Sequence, residues 1–550
     1  MARASACAAA GASLLCAFIA GCTQVSTQSH SGSAPVHSWT RPGELRIADI
    51  SDPSTLNPML TGADVAYQLA GYTLEFLVQL DDRGEVVPIL CTAVPSVQNG
   101  GVSKDGKTIT YHLRRGVTWS DGAPFGSADI VASWRQVVNP LNNTHIREGY
   151  DVVARIDAPD RYTAVVRLKR PYAPFPTRFF SGIQEGPIGV LPAHIIARAK
   201  ELNDSPLGAH PIGTGPFVLK SWERAGRMIF EANPHYWRGA PAIKRIIFQA
   251  QPSTSTELVG FKTHEIDADL DAGAQRMPEY ATLAGMHAVR SRSLRLYLLD
   301  MNAGKAPLDD KRLRQAIAYA VDRREVLHNV DHDAGTIADE WVPDWSWGYT
   351  PNVPHYDYYP AKAAALLDSA GWRATQPQGM REKNGKPLLL NIVGITGSGS
   401  SKQTTTIVQS YLRAVGIDAQ IKQYPYGIVF NTDGPIRGGK FDIAFYSFSV
   451  NYDPAALDDD GCDQFAPKGA NDERYCDPVV DRLERQALAL PDRLRRKPLY
   501  AQIQRRRMQS VAGLPLYFRD RVGVISDDLH GYTPSRGIVP QWNAWQWSVR

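Results

Sequence analysis

The chain has 550 residues, 43% of them hydrophobic and 21% charged. That is a globular composition on a chain too long for one compact core, so two or three domains are expected. The formal charge of +4 is too small for the basic footprint of a nucleic-acid-binding protein or for a membrane-surface role. The arginines of RLRRKPLYAQIQRRR (493–507) sit among Leu, Tyr and Ile at helical spacing and read as a solvated helix face.

Arg3, an apolar stretch over 5–20 and the small-residue ending IAGC read as a signal peptide, 1–21. The apolar run is short of the ~20 residues a bilayer-spanning helix needs. IAGC resembles a bacterial lipobox, which implies cleavage before Cys22 and a diacylglycerol anchor on its thiol. Residues 22–42, rich in Ser, Thr and Pro, read as a flexible tether. Cys91, Cys462 and Cys476 follow. Cys462 and Cys476 flank a polar loop that a disulfide would close in an oxidising compartment, and Cys91 is left over as a buried apolar residue.

Farther along, ELRIADI (44–50) alternates like a strand and SDPSTLNP ends it in turn residues. DGKTITYHLRRGVTW (105–119) reads as a hairpin arm. SADIVASWRQVV is a helix with Ser127 as N-cap and Ile130, Val131, Trp134, Val137 and Val138 on one face. PLDDKRLRQAIAYAVDRREVL and PAKAAALLDSAGW are amphipathic helices, the second ended by Gly371. PLLLNIVGI and FDIAFYSFSV bracket the helix TTTIVQSYLRAVGI. That strand, helix, strand order implies an α/β domain with parallel pairing.

The fragments that suggest catalysis fail on spacing. PIGTGPF lacks the lysine and serine of a phosphate loop, Gly399 stands where a Ser-x-x-Lys nucleophile would be, and His264-Glu265 has no second histidine. The cysteines carry no zinc-ligand spacing. No enzymatic role, metal site or cofactor is expected.

Six blocks instead carry a resemblance: YHLRRGVTWSDGAPFGSADIVASW (111–134), PIGTGPFVLKSW (211–222), NPHYWRGAPAIKRIIF (233–248), MNAGKAPLDDKRLRQAIAYAVDR (301–323), YYPAKAAALLDSAGW (358–372) and GLPLYFRDRV (513–522). Together, and in this order, they resemble the extracellular solute-binding proteins of family 5, the dipeptide, oligopeptide and nickel receptors of ABC importers. The resemblance implies an α/β, periplasmic-binding-protein type II fold of the three-domain, cluster C kind. Lobe I would hold 43–75, 210–296 and 511–550, an extra domain 76–209, and lobe III 297–510. It implies hinge closure over a solute between two α/β lobes. It also implies an exported, lipid-anchored monomer facing the periplasm or cell exterior, with permease and ATPase subunits as partners.

In peptide-binding members a strand opening with Phe-Asp leads to an aspartate that pairs with the peptide's ammonium. Here Phe441-Asp442 opens the strand, and counting forward reaches Asn451 while counting back from Pro454 reaches Val450. Neither is a carboxylate. Three readings stay open: Asp453 takes over, the ligand has no free ammonium, or another acid serves, with Asp52 in the loop that also carries Ser54 and Thr55 the foremost candidate. Phe448 and Tyr452 belong to the same stretch. Trp341, Trp345 and Trp347 sit in a Pro- and Gly-punctuated segment whose family counterpart lies beside the ligand, and Arg437 is a candidate for a ligand carboxylate. The expected solute is a peptide or peptide-like compound. An oligosaccharide or other non-peptide solute, a nickel complex, and a non-transport sensor lipoprotein are the alternatives.

Overall fold

The computed structural model describes residues 37–550 except 184, 225, 375, 377, 378 and 458–460. The expected signal peptide and Cys22 lie outside the described residues. The compact body begins at Trp39, earlier than the expected end of the tether at 42. The Trp39 ring stacks on His264 at 3.7 Å, and Arg41 pairs with Glu44 at 2.9 Å, so this stretch is packed.

A seven-stranded sheet runs in the order Met286–Ser291, Arg521–Ser526, Ala268–Asp269, Glu44–Asp49, Arg245–Ala250, Arg227–Ala232, Phe217–Trp222. The ELRIADI stretch forms one of its inner strands. It is parallel to Arg245–Ala250 over its whole length and buried from Leu45 to Ala48, as befits a strand covered on both faces.

A six-stranded sheet runs Gly335–Ile337, Gly513–Arg519, Arg295–Met301, Ile443–Ser449, Leu389–Ile395, Asp418–Tyr424. The expected parallel unit is here: Leu389–Ile395 is parallel both to Asp418–Tyr424 and to Ile443–Ser449. The helix Gly399–Ala414 between them is capped by the Ser398 side chain, which accepts from the Ser401 amide. A three-stranded antiparallel sheet, Thr108–His112, Thr163–Leu168 and Val153–Asp160, carries the region of the expected hairpin arm.

One local reading changes. The helix at Ser127 takes Gly126 as its N-cap, because the Ser127 hydroxyl donates instead to the Asp160 carbonyl at 2.6 Å, while Asp129 accepts from the Gly126 amide. After residue 511 the chain first joins the six-stranded sheet. Gly513–Arg519 pairs with Arg295–Met301 in the six-stranded sheet, and only at Arg521–Ser526 does the chain rejoin the seven-stranded one. The chain thus passes between the two large sheets at residues 292–294 and again at Asp520. The crossings are bound to each other: the Ser293 hydroxyl donates to the Arg519 carbonyl at 2.6 Å, and Arg290 meets Asp520 at 2.9 Å.

The glycines of PIGTGPF answer to close approach. A Cβ on Gly213 would stand 1.7 Å from the Thr73 carbonyl oxygen, while the Gly215 amide donates to that oxygen at 2.9 Å. Gly213→Ala is expected to lower stability by about 1–3 kcal/mol through overpacking against rigid backbone, read as an earlier midpoint in urea unfolding.

Candidate functional site

The parallel strands Leu389–Ile395 and Ile443–Ser449 end on one side of the six-stranded sheet, and α/β proteins bind ligands beyond the carboxyl ends of such strands. Burial falls off over Ser447–Ser449. Here two cavities open. One, of about 610 Å3, is lined by Arg178, Glu185, Arg295, Trp341, Phe448 and Asn451 among others. The other, of about 540 Å3, is lined by Asp64, Asp271, Arg295, Ser449, Arg519 and Arg521 among others. Arg295, Ser447 and Ser449 belong to both, so the two are chambers of one cleft. Asp64 and Asp271 lie in segments of the seven-stranded sheet region, and the strand residues come from the six-stranded one.

Aromatic rings form one wall of the larger chamber. The Arg507 guanidinium lies 4.3 Å from the Trp341 ring centre, a cation–π contact, and Phe448 is 6.2 Å from Trp341. The Tyr446 hydroxyl donates to the Asp300 carboxylate. Burial, with Asp300 and Asp472 nearby, holds that hydroxyl well above the usual phenol range.

Charges in the cleft are arranged in pairs. Arg178 meets Glu148, Arg437 meets Asp472 at 3.5 Å, and Arg507 meets Glu473 at 3.5 Å. Arg295 meets Asp64 at 2.9 Å and Glu185 at 3.2 Å. Acids and arginines alternating with aromatic faces suit a solute that carries both polar ends and apolar bulk.

The residues named from sequence divide. Trp341, Arg437, Phe448, Val450 and Asn451 line the larger chamber. Arg437 also donates to the Gly469 carbonyl at 3.2 Å, so it is half-buried and engaged. Asn451 accepts from Arg178 at 3.1 Å. Trp345, Trp347, Tyr452 and Asp453 line neither chamber. Trp347 packs edge-on to Tyr500 at 5.7 Å, and Trp345 lies 6.4 Å from Tyr452. These two rings close a core under their loop. Asp52 and Ser54 are exposed, Thr55 donates to the Gly208 carbonyl at 3.4 Å, and none of the three lines the cleft.

Asp453 is the sharpest departure. Its side chain is 4% exposed and holds Arg496, itself 1% exposed, through both carboxylate oxygens. Arg496 also donates to the Tyr500 hydroxyl at 2.7 Å. A carboxylate spent on a buried guanidinium has no spare charge for a ligand ammonium. Sequence reasoning missed Asp64, Glu148, Arg178, Glu185 and Arg295. They come from separated segments, and nothing in their local spacing marks them.

Residues 85–457 match the Bacterial extracellular solute-binding proteins, family 5 Middle. The chain belongs to family 5 of the bacterial extracellular solute-binding proteins. Like its family, this protein binds a solute and is not an enzyme. It is 27% identical over 526 residues to the nickel-binding periplasmic protein of Escherichia coli, covering 91% of this chain and 94% of that one. It is 27% identical over 488 residues to the dipeptide-binding protein of the same organism, covering 82% and 85%. Among solved structures, NikZ of Campylobacter jejuni with Ni(L-His) superposes with a TM-score of 0.76 at 25% identity, covering 92% of this chain and 99% of that one. The oligopeptide-binding protein AppA of Bacillus subtilis with a nonapeptide, at 0.74 and 21%, covers 93% and 100% and shares the fold.

The expected disulfide joins Cys462 to Cys476. Cys91 is buried, its thiol donates to the Leu77 carbonyl at 3.1 Å, and burial pushes that thiol up to about 12. No helix among the described residues is long and apolar enough to cross a membrane.

Removing one partner of the buried Asp453–Arg496 pair leaves the other charge uncompensated. Asp453→Asn is therefore expected to cost about 3–5 kcal/mol of stability by denaturant unfolding. Beside Trp341, Glu340 is fully buried and accepts from the Thr350 amide at 2.6 Å. Burial raises its carboxyl to about 8. The native state then holds a proton that the unfolded chain releases, so stability falls as pH rises from about 4.5 to about 8. Glu340→Gln should flatten that slope in unfolding measured across this window.

Proposed function

We propose that this protein captures a peptide or peptide-like solute between its lobes and delivers it to the permease and ATPase subunits of an ABC importer. In this reading it is exported, anchored by a lipid on Cys22, and works as a monomer on the outer face of a membrane. The lobes are those implied by the sequence, with lobe I resuming at Asp520: 43–75 with 210–296 and the chain after 520, an extra domain 76–209, and lobe III over 297–519. Support comes from relatives named for dipeptides and oligopeptides and from their shared fold. The observation that carries the reading is the two-chambered cleft between the large sheets, walled by aromatics and by acids paired with arginines.

A second reading, a non-peptide solute such as an oligosaccharide or a metal chelate, is favoured by one observation. The loop expected to hold a ligand ammonium offers Asn451 engaged by Arg178 and Asp453 engaged by Arg496.

The test is thermal unfolding of the protein against di- to pentapeptides, oligosaccharides and nickel chelates. A solute at ~100 times its dissociation constant adds about 2.7 kcal/mol of stability, so the midpoint should rise with peptides. A rise with sugars or chelates and none with peptides would replace the first reading by the second.

A further inference from the structure

Charge balance differs between the two ends of the larger chamber. Around the loop 450–454, each carboxylate that meets a guanidinium meets its own: Glu148 with Arg178, and Asp453 with Arg496. The polar group that loop turns to the cavity, beside Val450 and Pro454, is Asn451, with the Arg178 guanidinium 3.1 Å from its oxygen. An incoming ammonium would meet a positive group there and no uncommitted charge.

At the junction of the chambers the ratio is reversed. Arg295, the first residue of the strand after the 292–294 crossing, receives Asp64 on one side and Glu185 on the other. Two carboxylates share this one guanidinium, while elsewhere in the smaller chamber two guanidinia, Arg519 and Arg521, share Asp271 at 2.9 Å and 3.6 Å, so the acid-rich spot is local to Arg295. Both acids keep contact with solvent, 41% of the Asp64 side chain and 39% of the Glu185 side chain being exposed. Both contacts of Glu185, from Arg295 and from the Ser449 amide, fall on Oε1. Asp64 meets Arg295 through Oδ2. Asp300, by contrast, is 1% exposed beneath the Tyr446 hydroxyl and is closed to a ligand.

Burial raises the Asp64 carboxyl above its usual range against the pull of Arg295 and Arg521, and Glu185 and Asp271 contribute to the rise. A cation brought to the junction would relieve that repulsion, and a second anion would add to it.

We infer that Glu185 and Asp64, gathered on Arg295 where the chambers meet, receive the cationic group of the solute in place of the 450–454 loop. This rests on the peptide reading above and names the specificity-determining acids within it. A peptide's amino terminus would then lie at the junction, with its chain running toward Asn451 and the aromatic wall.

The test is isothermal titration of trialanine and N-acetyl-trialanine, and of a di- to pentapeptide set in both forms, into the wild-type protein, Glu185→Gln and Asp64→Asn. Both substitutions keep side-chain size. Free peptides are expected to bind the wild type and acetylated ones to bind at least ~10-fold more weakly. Either substitution should weaken free peptides ~10- to 100-fold, the size of a lost charge-assisted hydrogen bond, and leave acetylated ones nearly unchanged. Equal binding of both forms by the wild type, or full affinity for free peptides in both variants, would overturn the inference and leave the peptide reading standing. If no peptide binds the wild type while a sugar or chelate does, the peptide reading falls and takes the inference with it.

Discussion

The geometry of the cleft depends on two chain crossings held side by side. The polypeptide leaves the seven-stranded sheet after Ser291, enters the six-stranded one at Arg295, leaves it after Arg519 and returns at Arg521. Ser293 bonded to Arg519, and Arg290 paired with Asp520, keep these two short connections together. The lining residues that come from the two large sheets are placed relative to each other by that pair of links, which are a few residues long. Hinges in binding proteins are of this kind: few residues, at element ends, absorbing a rotation between packed bodies.

Charged groups are distributed unevenly around these crossings. Away from the cleft, Asp453 and Arg496 are buried together, and such a pair gives register more readily than net stability, since desolvation offsets much of the Coulomb gain. It fixes the loop 450–454 against the helix Arg493–Ser510, with Asn451 on the cavity side. In the cleft, the pairs of Arg295 with Asp64 and Glu185 keep partial contact with solvent, and their attraction is correspondingly weaker. A weakly held pair can be exchanged for a ligand group, and a fully buried one resists exchange. The distinction between scaffold charge and ligand-facing charge is therefore one of burial.

The tryptophans follow the same division. Trp341, Trp345 and Trp347 stand within seven residues of one another, yet only Trp341 faces the chamber, with Arg507 over its ring. The other two pack onto Tyr452 and Tyr500. An irregular loop punctuated by Pro343 and Gly348 has no fixed side-chain period, so composition alone cannot tell which ring goes inward.

The sequence by itself determined the family, through the resemblance of six blocks in order along the chain, and the α/β class, the parallel unit around the helix Gly399–Ala414 and the disulfide, which are carried by local periodicity or by residues close along the chain. The family resemblance led to Phe448, Val450 and Asn451 as candidates, and all three line the larger chamber. Only the tertiary structure decided which carboxylates line the cleft. Asp453 looked available from its spacing, but Arg496, 43 residues away, claims it. Asp64, Glu185 and Arg295 meet across more than 200 residues of chain, and electrostatic balance between such groups is set by through-space distance and burial, neither of which is written in local order.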